Sequence, residues 1–295
     1  MKREDSYVPI FYQEWWGNVV SQKGFIEFRR YEKEHLTLVW PIFIRKKFFL
    51  KVIGLPILTP YFGPYFLEKD TNHKKSKRLY IQQELIQKAI NDLHFYARLN
   101  IQFHPDVKIN LIPIIKSKIN TFLNVTYRID HTPLMEDIRS EFSASTRNKI
   151  NKAKKTCTIR EDHSTTDVYF LYKESVSRNK GTLILKEQTL QEVYLETRRR
   201  GCSKILTAIN EKNEPIASCF TVWDTKSMYT LMRGSSQEGL KAGAMSAILN
   251  ELIILANDKK LKFDFVGSMD SKIETFIKGF GAEQVNIVCL SSKLI

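Results

Sequence analysis

The residues best placed to do chemistry in this sequence lie in its second half. Phe263-Asp264-Phe265 sets an acid between two aromatic residues, and Gly267-Ser268 follows directly. On a strand the alternation buries both rings and turns Asp264 to the other face. An acid there can position an amine or act as a general base, with Asp264 and Ser268 as the catalytic pair. It can equally cap the next loop or pair with a basic neighbour. Gly267 makes a tight turn whose amide can meet an acceptor. Tyr229 and Arg233, at i and i+4, share one face of a strand opposite Thr230 and Met232 and become substrate-lining candidates. Lys180-Gly181, just after Arg178, reads as an anion contact or as a helix stop. Tyr61, in the proline-punctuated run Leu55–Phe66, can shape an acceptor groove, face a membrane or belong to a rigid buried loop.

Anion binding is the second theme. Lysine and arginine outnumber aspartate and glutamate by 46 to 32, a formal charge of +14, which favours phosphates, nucleic acid or an acidic lipid surface. The segment from Arg147 to Arg160 carries six basic residues and no acid. It reads either as a solvated helix face or, through Arg147, as a contact for a phosphate-bearing substrate. Gly239, Lys241, Gly243 and Ala244 sit where a glycine-bearing loop meets a helix, and free amides at a helix start attract anions. Such a loop is also an ordinary connection. The four cysteines form no CxxC pair and the six histidines are scattered, so no metal site is expected. No Ser-His-Asp or Cys-His set can be assembled, which favours direct transfer over a covalent enzyme intermediate.

These residues need a scaffold, and the periodicities supply one. Phe25–Tyr31, Leu36–Ile44 and Phe48–Ile53 read as strands. Ile81–Leu99 reads as a helix with one apolar stripe through Leu85, Ala89, Ile90 and Leu93. Val107–Pro113 and Phe122–Ile129 read as further strands. The second half predicts helices over Thr146–Lys155 (Ser145 as its N-cap), Val168–Ser177 and Leu190–Arg200. A meander of Lys204–Ile209, Ile216–Trp223 and Met228–Arg233 follows. Gly234–Gly243 is expected to be a flexible loop, Ala244–Ala256 an apolar helix, Leu261–Val266 a strand and Val285–Leu290 another. Between those last strands lies a helix opened by a Ser271/Glu274 capping box. The charged or proline-broken character of every long apolar run predicts no spanning helix. The acidic, aromatic N-terminal sequence lacks signal-peptide character, and the expected compartment is the cytoplasm.

Meander, helix, then strand, twice over, is the element order of the acetyltransferase fold. Four segments carry a closer resemblance: L-P-I-L-T-P-Y-F-G-P-Y-F (Leu55–Phe66), R-N-K-I-N-K-A-K-K (Arg147–Lys155), F-D-F-V-G-S-M (Phe263–Met269) and I-E-T-F-I-K-G-F-G-A (Ile273–Ala282). Together they resemble the FemAB-like branch of the acetyltransferase (GNAT) superfamily. The resemblance implies an α/β fold with α+β mixed sheets in two tandem GNAT-like domains, 1–130 and 131–295. It implies transfer of an acyl or aminoacyl group onto an amine of a cell-envelope or polysaccharide precursor. No cofactor would be permanently bound, and acyl-CoA or aminoacyl-tRNA would serve as co-substrate. Partners would be an anionic small-molecule or lipid-linked precursor or tRNA, with peripheral membrane contact compatible. Family members carry F-K-x-x-F-G in the last helix, whereas this chain has Phe276-Ile277-Lys278-Gly279-Phe280-Gly281. Isoleucine at the lysine position leaves open a catalytically idle scaffold that binds an anionic glycan precursor or RNA. The spacing of Ile277 with Ile273 and Phe280 turns it toward the core.

Overall fold

The computed structural model describes residues 7–21, 24–47, 50–68, 74–93, 96, 98–117, 119–267 and 271–292. In chain order these form α1 (Glu14–Val20), β1 (Phe25–Lys33), β2 (Leu36–Lys47), β3 (Leu50–Gly54), β4 (Tyr65–Glu68), α2 (Lys75–Leu93), β5 (Leu99–Gln102), α3 (Ile112–Lys116) and β6 (Asn120–Ile129). Next come α4 (Met135–Ser140), α5 (Ala144–Thr156), β7 (Thr158–Asp162), α6 (Thr166–Arg178), α7 (Glu187–Arg199), β8 (Ser203–Ile209), β9 (Pro215–Trp223) and β10 (Ser227–Ser235). The chain closes with α8 (Gln237–Ala242), α9 (Ala244–Asp258), β11 (Lys262–Asp264), α10 (Ser271–Lys278) and β12 (Glu283–Ser292).

Two compact units emerge, 1–124 with 286–295, and 125–285. The sequence places a boundary at 130/131; the change-overs instead fall inside β6 and β12. In the first unit β1, β2 and β3 form an antiparallel meander and β4 pairs with the start of β2. The apolar stripe of α2, including Leu85, Ile86, Ala89 and Ile90, is buried with Leu38, Trp40 and Ile42 of β2. Helix α2 begins and ends six residues earlier than its apolar pattern suggests. No strand forms at Val107–Pro113. Pro113 instead sits in the first turn of α3, where a missing amide costs nothing. The strand of this region is β5, whose Leu99 and Ile101 point inward and whose pairing partner is β12.

The second unit is built on the strand order β6-β11-β10-β9-β8-β7. All neighbours are antiparallel except β10 and β11, which run parallel. Helix α9 is apolar on nearly every side. Its Ile248, Leu249, Leu252 and Ile253 are buried in one cluster with Leu206, Cys219 and Met228 of the sheet. Helices α6 and α7 pack on β8, β9 and β10. Ile277 is fully buried in the α9-side cluster with Phe265 and Phe280, as its spacing predicts. Helix α5 is capped by Ser143, whose Oγ accepts the Thr146 amide at 3.2 Å, not by Ser145. The Glu274 carboxylate does not show the expected reciprocal cap; it accepts from Tyr127 Oη at 2.6 Å and pairs with Lys278 Nζ at 2.7 Å.

Candidate active site

The parallel ladder between β10 and β11 is short. It runs from Ser227 opposite Lys262 to Tyr229 opposite Asp264 and ends there. One residue later β10 is bulged, its register against β9 slipping between Thr230 and Met232. A bulge bends its strand and increases local twist, so β10 leaves β11 behind and its edge from Leu231 to Ser235 opens onto a cleft of about 730 Å³. Helix α6 closes one side. Ser175 Oγ accepts the Ser235 amide at 3.0 Å and donates to the Ser235 carbonyl at 3.2 Å, satisfying both backbone groups at the end of the strand. Gly234 lets the helix approach this closely, because a Cβ there would lie 2.3 Å from the Tyr172 nitrogen. Opposite stand the α8–α9 turn, Lys149 of α5, and Ile273 and Phe276 of α10.

The turn between α8 and α9 depends on Gly243. Its φ of +75° lies in the left-handed region that favours glycine, and a Cβ would sit 2.8 Å from the Lys149 carbonyl. What the sequence reads as a flexible loop is therefore the end of β10, the helix α8 capped by Ser236, and a single-residue hinge into α9. Ser236 Oγ accepts the Gly239 amide at 3.1 Å.

The lining is strongly asymmetric in charge. Lys149, Arg178, Arg233 and Lys272 face the cleft, and no aspartate or glutamate does among the described residues. Arg178 reaches Ser175 Oγ at 3.1 Å and Glu174 at 3.5 Å. Lys149 Nζ lies 6.0 Å over the Phe276 ring. Arg233 differs from these. Its Nη1 is enclosed without a hydrogen-bond acceptor, and burial pushes its pKa below the ordinary guanidinium value. Leu231, Met245, Val266, Ile273 and Phe276 supply an apolar counterpart.

Of the residues singled out from sequence, Arg233, Gly239 and Gly243 meet in this cleft. The others lie elsewhere. Tyr229 is fully buried and donates to Asp224 at 3.0 Å. Opposite partners in β9 show that it does not share a face with Arg233: Met228 and Cys219, the latter paired with Arg233, lie in the same cluster. The bulge at Leu231 reverses the alternation on which the sequence reading rests. Arg147 is exposed and donates to the Phe142 carbonyl. Lys180 is exposed with φ +55°, while its neighbours Asn179 and Gly181 line the cleft. Lys241 points to solvent, its carbonyl accepting from Lys152 Nζ at 2.8 Å, and Ala244 is buried. Tyr61 belongs to the first unit, packed edge-on against Phe11 and His104. Ser268 lies outside the described residues.

Asp264 takes a structural place. It is fully buried, accepting from Thr126 Oγ1 at 2.6 Å, Arg128 Nε at 2.8 Å and the Val266 amide at 2.8 Å. Thr126 Oγ1 in turn accepts the Gly267 amide at 3.0 Å. A carboxylate with three donors, one of them an arginine, holds the turn after β11 rather than an incoming amine. Within that turn Val266 adopts φ +51°, a strained state for a β-branched residue, and it faces the cleft. Gly267 is required by β6, whose Val125 carbonyl would stand 2.5 Å from a Cβ.

Sequence reasoning passed over Lys149, Lys272, Ser175 and Phe276. For Lys149 a signal existed: Thr146, Ile150 and Ala153 are the buried stripe of α5, and Lys149 flanks it on the side opposite Arg147.

No family model matches the chain, and no curated protein matches it by sequence. Solved structures do. FemX superposes with a TM-score of 0.66 at 12% identity, covering 95% of this chain and 91% of its own. L-PGS from Bacillus licheniformis gives 0.55 at 13% identity, with 93% and 85% covered. A domain named as the C-terminal part of a lysylphosphatidylglycerol synthetase from Agrobacterium fabrum gives 0.55 at 9% identity, with 92% and 84% covered. The fold is therefore a mixed α/β fold like that of FemX. No described helix is long and apolar enough to cross a membrane.

Proposed function

We propose that this protein is an acyl- or aminoacyltransferase whose cleft in the second unit binds an anionic donor and delivers its acyl group to an amine. The observation that carries this reading is the cleft itself: four cationic side chains, no described acid, and an open strand edge in a FemX-like fold. Such a field draws in phosphate-bearing groups. It also disfavours an ammonium ion, so an acceptor amine entering the cleft loses its proton more readily and can attack directly. The same cations stabilise the oxyanion that forms when the amine adds to the acyl carbon. Thiol chemistry is disfavoured, because burial pushes Cys202 and Cys289 up to about 11 and Cys219 up to about 12.

The donor is an acyl-CoA thioester or an aminoacyl-tRNA, both polyanions. The acceptor is an amine on an anionic envelope or polysaccharide precursor. The fold is shared with proteins named for lysylphosphatidylglycerol, an aminoacylated anionic lipid, which favours a lipid-linked acceptor and peripheral membrane contact. Burial of Ile277 at the position of the family's lysine favours a second reading, a scaffold that binds the same ligands without turning them over.

A single-turnover assay separates them. Purified protein is mixed with radiolabelled acyl-CoA or aminoacyl-tRNA and a panel of amine acceptors. Transfer is expected with one donor class, and the Lys149→Gln/Lys272→Gln double variant should lose about 10- to 100-fold, as expected for removing two charge-stabilising contacts. Donor binding without transfer to any acceptor would favour the scaffold; neither binding nor transfer would refute both.

A further inference from the structure

Arg233 is an anomaly in energetic terms. Its side chain shares a face with Cys219, a buried neutral thiol, at the strand end where β10 has left β11. Nη1 is enclosed without an acceptor, and among the described residues the side chain makes no ion pair or hydrogen bond. Asp264, a nearby carboxylate that attracts it, is already committed to Arg128 at 2.8 Å. Arginine does not shed its charge in a protein, so the folded chain holds a permanent, partly desolvated cation whose attracting carboxylate is hydrogen-bonded elsewhere. Such a group works against stability unless a partner arrives. Arg233 lines the cleft, where Lys149, Arg178 and Lys272 add positive charge.

Resting on the reading of the cleft as an anion-binding transfer site, we propose that Arg233 is the receptor for a single oxyanion of the substrate, a phosphate or carboxylate that reaches the strand floor between Leu231 and Ser246. The guanidinium offers that oxyanion a planar pair of donors in a water-poor setting, where a charge-assisted pair is strong and short. Lys149, Arg178 and Lys272 hold the remaining charge of a larger anion. Arg233 is thus a specificity-determining residue: it demands an oxyanion at one fixed depth, and a neutral substrate leaves it unpaired. Stability and ligand binding are linked by the same side chain, since the oxyanion supplies the missing partner and binds only the folded form.

The test compares wild type with Arg233→Met and Arg233→Lys by thermal unfolding at constant ionic strength. Pyrophosphate represents phosphate-bearing ligands and N-acetylglycine represents carboxylates. Without anion, Arg233→Met is expected to melt at or above the wild-type temperature. With one of the two anions the wild type should gain several degrees, a gain that Arg233→Met loses and Arg233→Lys keeps only in part. The anion that produces the Arg233-dependent gain identifies which oxyanion is read. As a check independent of folding, mass spectrometry of phenylglyoxal-treated wild type should show Arg233 protected by the same anion. Equal stabilisation of wild type and Arg233→Met, or no anion effect beyond sodium chloride together with unprotected Arg233, overturns the proposal. Because the readout is anion binding alone, it stands or falls apart from the transfer assay: transfer that persists with Arg233→Met at wild-type KM would sink this inference and leave the transferase reading intact.

Discussion

Asp264 and Arg233 are both charged and both near the end of the β10–β11 ladder, and the sequence singles out both, Asp264 as a catalytic and Arg233 as a substrate-lining candidate. Their surroundings separate them. Asp264 has three donors, one of them an arginine; Arg233 has an enclosed donor and no acceptor. The sequence around Asp264 does not reveal this, because its side-chain partners are 136 and 138 residues away. Ile277 is the contrasting case, where local spacing sufficed: its neighbours at helical intervals placed it inward, and it is fully buried beside Phe265 and Phe280. Ile277→Lys, which places a lysine where the FemAB-like motif has one, is therefore expected to destabilise the second unit by about 3 kcal/mol or more, since a buried ammonium must lose its charge or break the packing. Urea unfolding followed by circular dichroism checks it. A variant as stable as wild type would mean that the last helix can turn this position to solvent and would reopen lysine-assisted transfer.

At the scale of elements, the long helices and most long strands are legible because they carry a clean period. The α2 stripe, the β8–β10 meander and the apolar α9 all follow their patterns. Two kinds of element escaped. Short amphipathic pieces such as α4 and β7 carry too few buried residues to show a period, only Ile138 in the case of α4. The bulge in β10 left no mark at all, yet it decides the site, because one extra residue moves Arg233 to the face opposite Tyr229. The α8–α9 hinge is half legible: its glycines stand out in the sequence, whereas helix α8 before Gly243 does not. Gly243 carries that hinge through its φ of +75° and its contact with the Lys149 backbone. Gly243→Ala should cost about 1–2 kcal/mol for the left-handed backbone alone. It should also shift Lys149 and weaken donor binding. Equilibrium unfolding and a binding titration on the same variant measure both effects. Unchanged stability would show that the hinge can relax out of the left-handed region, and its contribution to the cleft would fall with it.

The whole chain carries a charge of +14, but the argument for function rests on where a few of those charges gather. Most of the basic run that dominates the sequence, including Arg147, faces solvent, whereas Lys149, Arg178, Arg233 and Lys272 come from four separate elements or loops to one cleft. That convergence is a tertiary property, which is why composition pointed to anions without locating them. Salt should weaken donor binding steeply if these four residues hold a polyanion. The most direct test of the central claim is hydrogen exchange of the wild-type protein, read by mass spectrometry with and without saturating acyl-CoA or aminoacyl-tRNA and without acceptor. Slowed exchange is predicted at the amides of Leu231–Ser235 and of 239–246, with the first unit unchanged. Donor binding with protection confined to the first unit, or to the exposed face of α5, would contradict the assignment of this cleft.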